Sequence, residues 1–432
     1  MISFDTTSIV KVVIVVGLAL ACWLLFANRY RLGPVLQRHE RAATYLSFVL
    51  LRLVPFLCVY VLLNQEPRSD VDFFYRKAEA ALQGKLVYRD FLSYHAPLFG
   101  YLISLPLLLW HNARVLILLM SVMELIIAKA TLRRYRDGDV APVVWFVLYY
   151  LLPLPFVAMV LSGEEDIWMW GFCLMSLALP QGRKFSFRLG VLWGVGMLVI
   201  KFMLIVFLIP LFFIVPNRLH YVAGLLLIGV PSLAILYGLV GLDFLMPIQH
   251  SSLPMTPNAV SILRPILGTY FEQVPLTYLN WIGLVATIGG ASYVGNRYRS
   301  VGYRRLLPLL YVFTFALFMI CLPSSPGFYL FTHTLPLVFV ILSTPAARRA
   351  WPIFLVLNVL TIVQPILSVI YNHQELFNSW SSINGSSEWA DYLIQCIEVG
   401  IFLYLLQVIL GQIRAVAEQE HVTEVPSSIS LT

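Results

Sequence analysis

Charge is what this chain has least of. Only 12% of its 432 residues are Asp, Glu, Lys or Arg, and 59% are hydrophobic, whereas a soluble protein carries roughly 25% charged residues. That shortage excludes a soluble enzyme and leaves no room for a separate soluble domain. Cysteine is scarce too. Cys22, Cys58, Cys173, Cys321 and Cys396 all lie in apolar runs; they have neither metal-ligand spacing nor a disulfide framework and read as small core hydrophobes. No Walker loop, dinucleotide fingerprint or Cys/His zinc pattern is present, which argues against nucleotide-driven chemistry in the cytoplasm. The first apolar run, Ile9–Phe26, has no basic segment before it and no small-residue cleavage site after it, so no cleavable signal peptide is expected. No internal repeat is apparent. The net charge of +7 does not point to nucleic acid; it follows from where the basic residues sit.

What the chain has in abundance is apolar sequence, with a mean hydropathy of +0.82. It reads as an all-α polytopic membrane protein with residues 1–432 in a single transmembrane domain. Basic clusters occur at Arg29, Arg31, Arg38 and Arg41, at Arg133, Arg134 and Arg136, at Arg183, Lys184 and Arg188, at Arg297, Arg299, Arg304 and Arg305, and at Arg348 and Arg349. The positive-inside rule assigns each to the cytoplasm. Threading the apolar runs between them predicts spans near 8–27, 43–63, 114–131, 141–159, 166–179, 187–200, 202–216, 219–240, 277–294, 304–322, 328–343, 351–371 and 391–413. That makes about thirteen transmembrane helices, with the N-terminus outside. Residues 415–432 form a cytoplasmic tail, expected to be disordered from Glu418 onward. The stretch 187–216 is either one long tilted helix or a hairpin. The hairpin is preferred because both flanks, RKFSFR and PNRLHY, are basic.

Against this background the segment from Ser69 to Pro97 is a charged, aromatic island inside a large first external loop, 64–112. Polar residues between two apolar segments mark where a membrane protein does chemistry on a polar group. Asp70 or Asp72 is a candidate general base, because a carboxylate beside an apolar wall is shifted toward neutral pH and suits removal of a hydroxyl proton. A structural reading stands beside it: Ser69-x-x-Asp72 fits a variant capping box, and acids are favoured at a helix N-terminus. Downstream, Lys85, Arg89, Asp90, Tyr94 and His95 precede Pro97 and the apolar run to Trp110. That run is too short for a full span and reads as an interfacial or re-entrant helix under the island.

A second acidic motif, SGEED, occupies 162–166 between two predicted spans. Ser162 and Glu165 can close a capping box, but three successive acids are more than a cap needs. Asp166, deepest toward the span, is the one chosen for a working role. Lys201 interrupts the apolar run VGMLVIKFMLIVF, where a charge costs roughly 2.5–3.5 kcal/mol on insertion scales. It either snorkels to the interface or marks an anion site. Arg264 in NAVSILRPILG and His333 in FYLFTHTLPL are further polar groups predicted on the same face. Together with Lys201 they would neutralise a phosphate.

The order of Asp70, AEAALQGKLVYRDF and APLFGYL resembles the first external loop of GT-C superfamily glycosyltransferases, most of all the polyprenol-phosphate-mannose-dependent mannosyltransferase group. The ending Tyr94-His95-Ala96-Pro97-Leu98 departs from the usual Tyr-Pro-Pro-Leu, and the apolar helix 8–27 before the first acidic loop departs from the usual start. SGEED resembles the second acidic loop of such enzymes, and Lys201 falls where lipid-phosphate-dependent relatives place a lysine between two short helices. The resemblance implies a GT-C-like fold and an inverting transfer of a hexose such as mannose. The donor would be a polyprenyl-phosphate-linked sugar and the acceptor a glycan, glycolipid or protein hydroxyl. Asp70 would act as the base. Lys201, with Arg264 and His333, would hold the donor phosphate. Asp166, with Glu165, would hold the acceptor, orient a cation of the site or assist a divalent metal. Lys85 and Arg89 would bind substrate or pair with the acids, and Tyr94 and His95 would complete the substrate site.

A transporter or flippase of polyprenyl-linked saccharides or other lipids is the alternative, since polytopic helices with a few intramembrane charges suit it too. The gathering of polar groups on one face and the lack of an inverted repeat count against it. A non-catalytic scaffold subunit would leave the acids without a role. The expected location is a cell membrane, a prokaryotic one in preference to the endoplasmic reticulum, with the site on the extracytoplasmic face and lipids around it.

Overall fold

Proline and charge cut an almost uninterrupted apolar sequence into helices of unequal length. The structure, a computed structural model, describes residues 6–424 apart from 137, 250–252, 269, 271, 272 and 373–375. In chain order its main helices are α1 (Thr6–Ala27), α2 (Arg29–Arg38), α3 (Glu40–Leu62), α4 (Asp70–Leu82), α5 (Phe99–Leu108), α6 (Arg114–Arg134), α7 (Pro142–Leu151), α8 (Pro153–Ser162), α9 (Ile167–Ala178), α10 (Phe185–Val199), α11 (Phe202–Ile214) and α12 (Arg218–Val240). They continue with α13 (Ala259–Leu267), α14 (Leu276–Arg297), α15 (Tyr303–Cys321), α16 (Gly327–Leu342), α17 (Trp351–Pro365) and α18 (Ser386–Glu424).

Seven of these regions, centred on α1, α3, α6, α12, α15, α17 and α18, are long and apolar enough to cross a bilayer. The pair α7 and α8, bent by 60°, adds an eighth if counted as one span. The bend falls at Leu152, whose ψ of 133° leaves the helical region, as expected of a residue that precedes a proline. This is the make-up of a polytopic membrane protein. The predicted spans fall on helical residues, 141–159 on the bent pair, but seven or eight rather than about thirteen are long enough to cross: α9, α10, α11 and α16 are shorter apolar helices of 10–17 residues. α14 has 22 residues and still does not join the seven.

Ion pairs hold several of the basic helix ends. Arg348 Nη2 holds Asp139 Oδ1 at 2.6 Å while its Nη1 donates to Tyr30 Oη. Arg136 approaches Glu40 at 3.6 Å, and Arg305 pairs with Glu420. The backbone N–H of Asn217 donates to Ser186 Oγ at 3.1 Å, so α11 ends beside the start of α10. The stretch 187–216 is thus a hairpin, broken at Ile200 and Lys201. One expectation is corrected here: residues 415–424 are not a disordered tail but the last turns of α18. Ala417 is buried there and the Arg305–Glu420 pair ties the segment to α15. Residues 425–432 lie outside the described part. Cys22 and Cys173 are buried as expected, but Cys58 is exposed.

Deep inside, Arg52 and Glu124 form a bidentate pair at 2.7 and 2.8 Å, both side chains fully buried, and Tyr149 Oη donates to Glu124 at 3.0 Å. This joins α3, α6 and α7. Opposite, α12 lies parallel to α10 at backbone contact. A Cβ on Gly190 would fall 2.1 Å from Tyr221 O, and one on Gly224 2.2 Å from Phe187 O. Small residues allow such close approach in membranes. Gly190→Ala is expected to push α12 off α10, at a cost of about 1–3 kcal/mol. Gly238→Ala, which has nothing within 4 Å of its added carbon, is the control. Thermal melts of both variants in detergent check this; equal melting would show that the crossing yields freely.

A candidate active site beneath the charged loop

Two helix ends and one loop build the site. α8 ends in Ser162, and Gly163 turns the chain with a left-handed φ of 61°, the conformation in which glycine ends helices. A side chain there would also meet Val71 Cγ2 at 2.8 Å, so the glycine lets α4 dock on the acidic turn. Glu164, Glu165 and Asp166 follow, all buried. The predicted capping boxes do not form. Neither Ser69 nor Asp166, the residues that precede α4 and α9, makes a side-chain cap hydrogen bond. Ser69 sits at φ 59°, outside the β-region a capping serine needs, and Glu165 and Asp166 point instead to Lys201.

The second helix end is that of α10. Its last carbonyls would be left without partners, but Leu98 N–H donates to Leu198 O at 2.9 Å and Ala96 N–H to Ile200 O at 3.2 Å. The loop that carries His95 is thereby bonded to the break that carries Lys201. Tyr88 Oη donates to His95 O at 2.6 Å, and the imidazole stacks on Phe99 with ring centroids 4.5 Å apart.

These contacts align a chain of five side chains. Lys77 Nζ lies 2.9 Å from His95 Nδ1, and His95 Nε2 lies 3.0 Å from Glu165 Oε1. That same oxygen is 2.7 Å from Lys201 Nζ, which contacts Asp166 Oδ1 at 2.6 Å. The two contacts of His95 assign its tautomer: Lys77 donates to Nδ1, and Nε2–H donates to Glu165. Burial lowers His95 to about 4, so the ring is neutral. Burial also lowers Lys77 to about 7, against the pull of Glu165 and Asp70. Glu164 is raised well above the carboxylate range by burial and by Asp70 beside it. Asp166 is raised to about 6 by burial, with Lys201 opposing. For Glu165 burial is outweighed by Lys201 and His95, and the carboxylate is held ionised.

Lys77 makes stability depend on pH. Unfolded, it keeps its proton up to about pH 10.4; folded, it loses it near 7. Between these values the unfolded chain binds more protons, so stability rises with pH, by at most about 1.4 kcal/mol per pH unit. The penalty is fully present below pH 7. Melting temperature is expected to climb from pH 7 to 10 in the wild type and to flatten in Lys77→Met; parallel curves would refute the assignment.

A cavity of about 890 Å³ opens at this chain. Its polar end holds Ser69, Asp70, Tyr94, His95, Glu164 and Lys201, and its walls are apolar faces of α10, α11, α12, α14 and α15 with Tyr329 of α16. Tyr329 also stacks under Lys201, its ring centroid 5.1 Å from Nζ. Asp70 is exposed at this end and makes neither a hydrogen bond nor a salt bridge among the described residues. The apolar run before Trp110 is α5, a short apolar helix that packs on α4 and leaves Leu102, Leu105 and Leu108 exposed.

Of the sequence candidates, the fold brings together Asp70, Tyr94, His95, Glu165, Asp166 and Lys201. It does not bring Asp72, Lys85, Arg89, Arg264 or His333. Asp72 points outward and pairs with Arg76 at 2.6 Å, both exposed. Lys85 is exposed, and Arg89 is held by Asp90 at 2.9 Å. Arg264 lies in the last turn of α13. His333 is buried within α16 and does not line the cavity. The anion site expected of three cations thus reduces to Lys201. No three His, Cys, Asp or Glu side chains converge as metal ligands among the described residues.

Sequence reasoning passed over Lys77 and Glu164. Lys77 had a legible signal: it shares the apolar face of α4 with Val71, Phe74, Ala78 and Ala81, all buried, and a lysine in such a stripe is out of place. Comparisons with protein-family models, curated proteins and solved structures gave no match to this chain.

Proposed function

We propose that the protein is a GT-C type glycosyltransferase that moves a sugar, a hexose such as mannose, from a polyprenyl-phosphate donor to an acceptor hydroxyl at the extracytoplasmic face of a cell membrane. One observation carries the reading: a single cavity has long apolar walls for a lipid chain and, at one end, an unpaired carboxylate, a buried acid and an ammonium. The basic clusters, cytoplasmic by the positive-inside rule, support that face: α10 and α15 begin beside Lys184 and Arg304 and run to the cavity at Leu198 and Leu322.

Asp70 takes the proton of the acceptor hydroxyl as its oxygen attacks the anomeric carbon. The bond from that carbon to the phosphate oxygen breaks, and the lipid phosphate leaves with the electron pair, inverting the centre. Lys201 has three N–H donors. Two go to Glu165 and Asp166, and the third serves the phosphate. Glu164, neutral because of its burial, donates to a sugar hydroxyl. Lys77 and His95 position Glu165 and, through it, Lys201.

The test is transfer by the purified full-length chain from a radiolabelled short-chain polyprenyl-phosphate mannose to a membrane extract. Label in a new product with the wild type, and not with Asp70→Asn, supports the reading. Saturable donor binding with no product, together with donor translocation in vesicles, would replace it with the flippase alternative.

A further inference from the structure

A second polar cluster lies between α17 and α18, away from the groups used above. Asn358, Thr361 and Gln364 share one face of α17; Asp391, Gln395 and Glu398 share one face of α18; each is at most 1% exposed. The two acids are treated differently. Asp391 accepts from Gln364 Nε2 at 3.0 Å, Gln395 Nε2 at 3.0 Å and Asn372 Nδ2 at 3.2 Å. Among the described residues, both carboxylate oxygens of Glu398, two turns deeper, are buried without a hydrogen-bond partner. Gln395 Oε1 and Asn358 Oδ1 are buried without partners as well.

The groups able to donate there are turned elsewhere. Thr361 interacts with Glu398, but its hydroxyl donates to Leu357 O at 2.8 Å. Asn358 Nδ2 donates to Phe354 O at 2.8 Å, and Gln395 Nε2 to Asp391. Acceptors without donors are costly in a membrane interior. A proton on Glu398 would supply a donor to one further oxygen and leave another bare. A cation coordinates several oxygens at once and neutralises the carboxylate. One carboxylate balances one positive charge, and carboxylate, amide and hydroxyl oxygens suit a hard ion.

We propose that Glu398, Gln395 and Asn358, with the lone pairs of Thr361, form an intramembrane binding site for a monovalent alkali cation. The site backs onto the substrate cavity. Thr361 Cγ2 lies 3.2 Å from where a Cβ of Gly327 would be, and Gln364 Nε2 bonds Thr256 Oγ1 at 3.0 Å. Thr256 O in turn accepts from Gly327 N–H at 3.0 Å. Gly327 begins the turn that carries Phe328 and Tyr329 into the cavity, so a bound ion braces that wall.

The experiment uses the purified full-length protein in detergent. Binding of radiolabelled Na+ is measured by scintillation proximity, and melting temperature is read in NaCl, KCl and N-methyl-D-glucamine chloride at equal ionic strength. Saturable binding displaced by excess Na+ or K+ is expected, with a melting temperature several degrees higher in the alkali salts. Folded Glu398→Gln should lose both effects. Asn358→Ala, the milder change, should weaken binding several-fold and serves if Glu398→Gln does not fold. Absence of saturable binding with one melting temperature in all three salts would overturn the proposal and make Glu398 a proton carrier. Full binding in either folded variant would overturn it too.

Discussion

Lys201→Met is expected to destabilise the protein more than any other single change in the site, by about 3–5 kcal/mol. Lys201 Nζ is the common partner of Glu165 and Asp166, which are 0% and 1% exposed. Removing it leaves two buried carboxylates in contact with each other's field. His95 offers one N–H to Glu165, and Glu165 Oε2 already lacks a partner, so neither acid finds replacement donors. The cost therefore reflects uncompensated charge. Adding Glu165→Gln and Asp166→Asn to Lys201→Met should recover most of the lost stability, because no ion then remains to be matched. Thermal melts of the single and triple variants in detergent measure this. If Lys201→Met melted like the wild type, Lys201 would be a snorkelling residue and the five-residue chain would lose its centre.

Asp70→Asn should do the reverse: leave the fold alone and stop the chemistry. Asp70 is exposed at the cavity's polar end and has neither hydrogen bond nor salt bridge to lose among the described residues, and such surface changes stay within about 0.5 kcal/mol. An amide cannot take the acceptor's proton, and a positioned base contributes about 10²–10⁴-fold. Transfer is expected to fall by that factor with donor affinity unchanged, a kcat effect without a KM effect. Undiminished transfer by Asp70→Asn would move the base to Glu164, the other carboxyl of the cavity end.

Much of this site was legible because charge is so scarce in the chain. With 12% charged residues, each one inside an apolar stretch stands out: Lys201 interrupts an apolar run, and SGEED sets three acids between two spans with Asp166 deepest. His95 was noticed only as a neighbour of Pro97; its contact with Glu165 spans 70 residues of sequence. Asp70 and Asp72 were indistinguishable as letters. They are two residues apart at the start of α4, so one faces the cavity and the other faces Arg76. Arg264 and His333 share the predicted outer face, but sharing a face of a bilayer is a two-dimensional statement that does not bring side chains into contact, and neither lines the cavity.

By itself, then, the sequence determined that this is a helical membrane protein and where its helices fall, and by the positive-inside rule it assigns its basic clusters to one side. Those properties follow from solvation: apolar surface must leave water, backbone groups in lipid must pair internally, and cations stay where translocation leaves them. Only the tertiary structure decided which polar groups meet. It paired Lys201 with two acids, drew Lys77 into the site, sent Asp72 and His333 elsewhere and left Glu398 without a donor. Partner choice rests on short-range contact between segments far apart in the chain, and such contacts are set by how helices of unequal length and small-residue faces pack, which no local pattern encodes.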